Sequence, residues 1–310
     1  MVTIAKHLRV NRTLGLSILL WVSIMAFSSP LHALDSTPLP GQRIVMITGS
    51  TGGLGRETAR ALARQGDHVI VHGRNEERGR ALVAEIQAEG KGSARFYRAD
   101  FASMLEVRGL ADVVIRDYSR LDVLVNNAGI FRPDQDERRV SEDGYELHFQ
   151  VNYLAGYELI RKLTPLLAAS APSRIISVAS GQQPIDFDNL MLETDYDGMR
   201  AYFQSKNAQI MMTFYLADEL AARGITINAM HPSDLMNTDM VIEAGLEPLT
   251  SVETGRDALL RLINEEVGSG KFYNVFTEAK AIPQAYDKQA LARLMEVSAE
   301  LVAASAGGSD

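Results

Sequence analysis

Short apolar runs of four to six residues alternate along this chain with longer stretches whose apolar positions recur every three or four residues. The short runs suit strands buried on both faces, and the longer period suits amphipathic helices. Arg43–Thr48, His68–Val71, Arg95–Arg98, Leu121–Val125, Arg174–Val178, Thr226–Met230 and Phe272–Val275 read as strands. Glu57–Arg64, Glu76–Ala88, Met104–Tyr118, Gly144–Ala168 and roughly Arg200–Arg223 read as helices between them. Strands spaced by helices of this length imply βαβ units. The pattern predicts an α/β fold, doubly wound, with a parallel sheet of about seven strands and helices on both faces.

The first 34 residues break the pattern. Lys6, Arg9 and Arg12 precede an apolar run from Leu14 to Phe27, and a small, polar stretch follows. That order is the order of a secretory signal. The run spans about 21 Å as a helix, short of the roughly 30 Å of a hydrocarbon core. Residues 1–34 therefore read as a signal peptide or a short membrane anchor, with a misassigned start or an apolar helix docked on the protein as the alternatives. Association with a membrane through residues 14–27, or export, is expected from the first reading, and a segment that anchors peripherally without spanning leaves the catalytic domain cytoplasmic as the alternative. Residues 35–42 (DSTPLPGQ) read as a linker, and residues 43–310 as one catalytic domain.

Composition removes several classes of chemistry. There is no cysteine, which excludes disulfides, thiolate nucleophiles and zinc–thiolate sites. No metal site is expected. Beyond residue 34 the chain carries 28 basic against 39 acidic residues, which gives no footing for nucleic acid.

Thr48-Gly49-Ser50-Thr51-Gly52-Gly53-Leu54-Gly55 follows the first strand and opens the first helix. In that context glycines permit a tight turn and a close approach to a pyrophosphate, and the helix N-terminus supplies N–H groups. Gly49, Ser50, Thr51, Gly53, Leu54 and Gly55 are thus candidate cofactor ligands in a Rossmann-type domain. The second strand ends at His72-Gly73-Arg74. An NAD enzyme is expected to place an acid there for the ribose 2′-hydroxyl. Residues 71–75 hold none. Arg74, with Arg56 assisting, suits a 2′-phosphate instead. NADP(H) is therefore expected over NAD(H). Asp100, after the third strand, either accepts from the adenine amine or caps the next helix. Asn126, Ala128 and Gly129, from Asn126-Asn127-Ala128-Gly129, close the fourth strand where the cofactor passes the backbone.

Tyr202 and Lys206 stand four residues apart on a predicted helix, on one face, about 5–6 Å apart at Cβ. An ammonium beside a phenol favours the phenolate and brings the tyrosine toward acid–base duty. Ser180 ends the fifth strand, where its hydroxyl suits a substrate carbonyl. Asn152 lies within a predicted helix, where a buried amide suits a water that links Lys206 to solvent.

Together these segments resemble the short-chain dehydrogenase/reductase family, over about residues 43–305. Residues 48–55, 126–129, Asn152, Ser180 and Tyr202-Phe203-Gln204-Ser205-Lys206 occur in the family's order and approximate spacing. Gln150-Val151-Asn152 and the stretch from Ile185 to Tyr202 resemble the retinol-dehydrogenase-like and bacterial carbonyl reductase branch. The resemblance implies a catalytic tetrad of Asn152, Ser180, Tyr202 and Lys206. It also implies Lys206 on the nicotinamide ribose and Thr238 on the carboxamide. Where the family usually has Pro-Gly after the sixth strand, this chain has His231-Pro232-Ser233-Asp234.

The expected activity is hydride transfer between a carbonyl and an alcohol. A non-catalytic NADP(H)-binding or scaffold protein is the alternative. An epimerase or dehydratase of longer-chain relatives is a third reading. Those usually separate the first glycines by two residues, where three stand between Gly49 and Gly53. Residues 182–199 and 233–253 are loop-like and lie near the motifs. Leu235, Met236, Met240, Val241, Ile242 and Leu246 suggest a lipophilic substrate, or else the packing of a small lid helix. Self-association into a homo-oligomer is left open.

Overall fold

The computed structural model describes residues 36–133 and 137–305. The export or anchor segment lies outside them. The strands are β1 (Ile44–Ile47), β2 (His68–Gly73), β3 (Ser93–Arg98), β4 (Val123–Asn126), β5 (Ser173–Val178), β6 (Ile225–His231), β7 (Lys271–Asn274) and β8 (Thr277–Ala279). They form one sheet in the order β3-β2-β1-β4-β5-β6-β7-β8. The helices are α1 (Gly53–Arg64), α2 (Glu76–Glu89), α3 (Met104–Asp117), α4 (Ala155–Ala169), α5 (Gly198–Ala221), α6 (Asp239–Glu243), α7 (Val252–Asn264) and α8 (Lys288–Ala304).

The strand alternation divides the core in two. Ile44 and Met46 of β1 point into one apolar layer with α3, α4, α5 and α8. Val45 and Ile47 point into the other, with α1, α2 and α7. Both faces are covered, so β1 is buried along its whole length and its sequence is continuously apolar. Helix ends follow local chemistry. The Asn75 side chain accepts the Arg78 N–H at the start of α2, and Gly90 closes that helix in the left-handed region. Asp197 accepts the Arg200 N–H at the start of α5.

Four expectations change. The first seven strands are parallel, but an eighth runs antiparallel to β7. Its hairpin turns on Val275 at φ 53°, without the Gly or Asn that marks such turns, so the sequence hides it. The helix expected over 144–168 opens instead as a π-helical turn, Phe149–Leu154, which runs into α4. Helices α7 and α8 were not anticipated. Residues 36–42 are no free linker. The Ser36 N–H donates to the Ala94 carbonyl at 3.1 Å, and the Gln42 amide donates to the Gly66 carbonyl at 2.9 Å.

Strand order reverses beside β1, whose neighbours are β2 and β4. The crevice beyond the C-terminal ends of β1 and β4 is where such sheets receive ligands. Among the described residues, no helix is long and apolar enough to cross a membrane.

Candidate active site

The turn after β1 is held by close contacts. Gly49 has φ 63°, and a Cβ there would lie 2.8 Å from the Ala128 Cα. At Gly55 a Cβ would lie 2.6 Å from both the Asn127 amide nitrogen and the Gly49 carbonyl. Asn127 donates to the Thr48 carbonyl at 2.8 Å and to the Gly49 carbonyl at 3.2 Å, tying the β4 loop to the turn. The Gly49 N–H donates to His72 Nδ1 at 3.1 Å. Nδ1 must therefore be unprotonated, and Nε2–H faces the Ala99 carbonyl at 3.2 Å. Burial lowers the His72 pKa to about 4, which keeps that acceptor free.

A cleft of about 940 Å³ opens above this turn. Gly49, Thr51, Gly53, Leu54, Arg74, Asp100, Ala128, Gly129, Ser180, Tyr202, Lys206 and Thr238 line it. Five other candidates do not. Ser50 is buried, with its hydroxyl donating to the Ile47 carbonyl at 2.8 Å and accepting the His72 N–H at 3.1 Å. Gly55 packs beneath the turn. Asn126 points toward Gly156 of α4, its amide 3.4 Å from that carbonyl, and Asn127 takes the cleft position. Arg56 is held by Glu85, at 2.7 Å, and Glu57, in an adjoining concavity. Asn152 stands behind the wall.

The turn fits an anionic cofactor. Helix α1 has no side-chain cap and no acid in its first turn, so its N–H groups keep their capacity for an anion. Arg74 lies at one end of the cleft, mostly exposed, 3.7 Å from Asp100. Asp100 itself accepts the Ala102 N–H at 3.0 Å, and the cap on the Met104 N–H comes from Asp143. Arg78, one helical turn beyond Arg74, lines the cleft as well and meets Asp239 of α6 at 3.0 Å. It was missed, although an arginine in the first turn of a predicted helix, four residues after Arg74, was the available signal.

At the other end Tyr202 and Ser180 line the cleft together. Its ring packs on Phe131 at 4.5 Å, and Lys206 Nζ lies 5.7 Å from the ring centre. Asn152 accepts the Ile130 N–H at 2.7 Å and donates to the Ser205 hydroxyl at 2.9 Å, clamping the β4 loop to α5. The charge balance differs from the sequence expectation. Burial holds Tyr202 above the ordinary phenol range, and the polar Ser180 side chain offsets it only in part. Burial also draws Lys206 down to about 7. Each group lost water, which disfavours the charged form of both.

Leu235, Met236, Met240, Val241 and Leu246 line the far wall. The lid helix weighed for this segment exists as α6, and the Thr238 methyl at its N-cap lies over Gly53. Ile242 points outward, 56% exposed.

A family model described as short chain dehydrogenase matches residues 43–248. Human retinol dehydrogenase 13 is 33% identical over 289 residues, covering 85% of each chain. Mouse polyprenol dehydrogenase is 35% identical over 302 residues, covering 88% of this chain and 87% of its own. A crystal structure from Escherichia coli CFT073, solved as a complex with NADPH, aligns with a TM-score of 0.62 at 26% identity. It covers 76% of this chain and 97% of its own.

Proposed function

The chain belongs to the short-chain dehydrogenase family, and from that premise we propose that it is an NADP(H)-dependent oxidoreductase interconverting a lipophilic carbonyl compound and its alcohol. One observation carries the reading. Ser180, Tyr202 and Lys206 share a cleft with an uncapped glycine turn and with Arg74 and Arg78. A nicotinamide cofactor, when bound, supplies hydride to a carbonyl carbon or takes it from an alcohol. The residues of the chain handle the oxygen and the proton. The Ser180 hydroxyl orients the substrate oxygen beside the Tyr202 hydroxyl. In reduction Tyr202 gives that oxygen its proton, and in oxidation it takes the proton back. Lys206 as ammonium stabilises the phenolate left behind. Asn152 keeps the β4 loop and α5 in register so that these groups converge. Arg74 and Arg78 are the ligands for a 2′-phosphate.

The apolar far wall supports a lipophilic substrate, as do relatives named for retinol and polyprenol. The test is NADPH absorbance against a panel of carbonyls that includes retinal and long-chain ketones, repeated with NADH. Tyr202→Phe should lower kcat by about a hundredfold to ten-thousandfold with cofactor binding kept. NADPH binding without turnover of any carbonyl would favour a non-catalytic scaffold. For residues 14–27 we propose membrane attachment or export, tested by fractionation with and without residues 1–34.

A further inference from the structure

Lys206 has three N–H bonds to place and is only 4% exposed. Val178 of β5 offers its carbonyl at 2.9 Å, and Gln209 offers Oε1 at 3.0 Å. Gln209 lies three residues further along α5, on the same face, and is itself 1% exposed. The ion-paired lysines among the described residues are Lys162 and Lys271. Lys206 instead meets neutral acceptors only. Of the titratable groups, Tyr202 faces it from α5. The elements packed on it add the Val178 carbonyl from β5 and the Asn152 amide, close by across Gly129, from the π-helical turn. His148 lies beyond the Tyr202 ring.

We propose that Gln209 is a positioning residue for Lys206, its Oε1 joining the Val178 carbonyl to keep the buried ammonium charged and to leave its third N–H for the cleft. The physical need is plain. A buried ammonium without a carboxylate is stable only as far as neutral dipoles replace its water. Burial alone draws Lys206 down to about 7, so the neutral acceptors at 2.9 and 3.0 Å are what favour its charged form. The importance of this for turnover rests on the function proposed above, while the hydrogen bond and its electrostatic effect do not.

The test is titration of Lys206 in the cofactor-free, full-length protein by NMR of ¹³C-labelled lysine. The chain has seven lysines, and Lys206→Arg identifies the resonance. Gln209→Met, close in shape but without the acceptor, should move the Lys206 titration down by about one pH unit. Gln209→Glu should move it up by about as much. The alkaline limb of reductive kcat should follow each shift in the same direction. A merely structural role would lower activity without shifts of opposite sign. Titrations unmoved in both variants, or moved the same way, would overturn the proposal. If Gln209→Met does not fold, the upward shift in Gln209→Glu decides alone. Opposite shifts without carbonyl turnover would uphold Gln209 and sink the proposed function.

Discussion

The two walls of the cleft are built on different principles. On the β1–β4 side, each position is fixed by close contact with another segment of the chain. Gly49 rests on Ala128, Gly55 on Asn127, and the Gly49 N–H on His72. On the α6 side, a five-residue helix carries apolar side chains over the opening, and some of them face solvent. The first wall tolerates almost no change of residue and suits a ligand of fixed chemistry. The second can change its shape without breaking the fold, which suits selection among apolar substrates.

The largest effect should come from breaking the first wall. Gly49→Val combines a β-branched side chain at φ 63° with a Cβ at 2.8 Å from the Ala128 Cα. It should cost about 2–4 kcal/mol in urea unfolding and abolish NADPH binding. Ile242→Ser on the lid should leave both within error. Equal tolerance at the two positions would remove the contrast.

This asymmetry also explains what the sequence made legible. The parallel strands and the glycine turn follow from local rules: continuous apolar runs, and glycine where no Cβ fits. Pairings distant in sequence do not. Arg56 looked like a phosphate ligand because Glu85, its partner, lies a helix away. Asn126 and Asn127 are identical neighbours, and only the strand's alternation decides that Asn127 meets the cleft. The Tyr202–Lys206 spacing was visible, but the loss of water around both was not, so the direction of the tyrosine shift was misjudged. Gln209 falls in the same class, since its partner had to be known as buried before its amide meant anything.

A smaller effect belongs to pH, on β2, whose His72 backs the glycine turn. His72 and His68 are buried and neutral, each with a pKa lowered to about 4 from 6.5. Between those values the unfolded chain binds more protons than the folded one. The stability tied to each histidine is therefore complete above 6.5 and is lost as pH falls toward 4. The loss is up to about 3 kcal/mol per histidine. Urea midpoints at pH 7.5 and 5.0 measure it. His72→Gln should flatten that pH dependence by roughly half, and an unchanged slope would show that His72 is not held neutral.

The smallest effect tests the seam where the walls meet. Arg78 stands on α2, on the rigid side, but its guanidinium pairs with Asp239 of the lid at 3.0 Å. Both side chains are well exposed, so the pair adds little to stability. Its consequence lies in competition, because a 2′-phosphate and Asp239 cannot both hold Arg78 in a bidentate grip. Arg78→Ala should raise the NADPH Kd by about tenfold and leave NADH unchanged. Asp239→Asn should act in the opposite direction, tightening NADPH by about two- to threefold with no change in NADH or in urea midpoint. Fluorescence titration of both cofactors against both variants reads the four values. Equal movement of NADPH and NADH in either variant would mean that the bridge holds the lid rather than selects the cofactor, and that the lid wall is more constrained than its exposure implies.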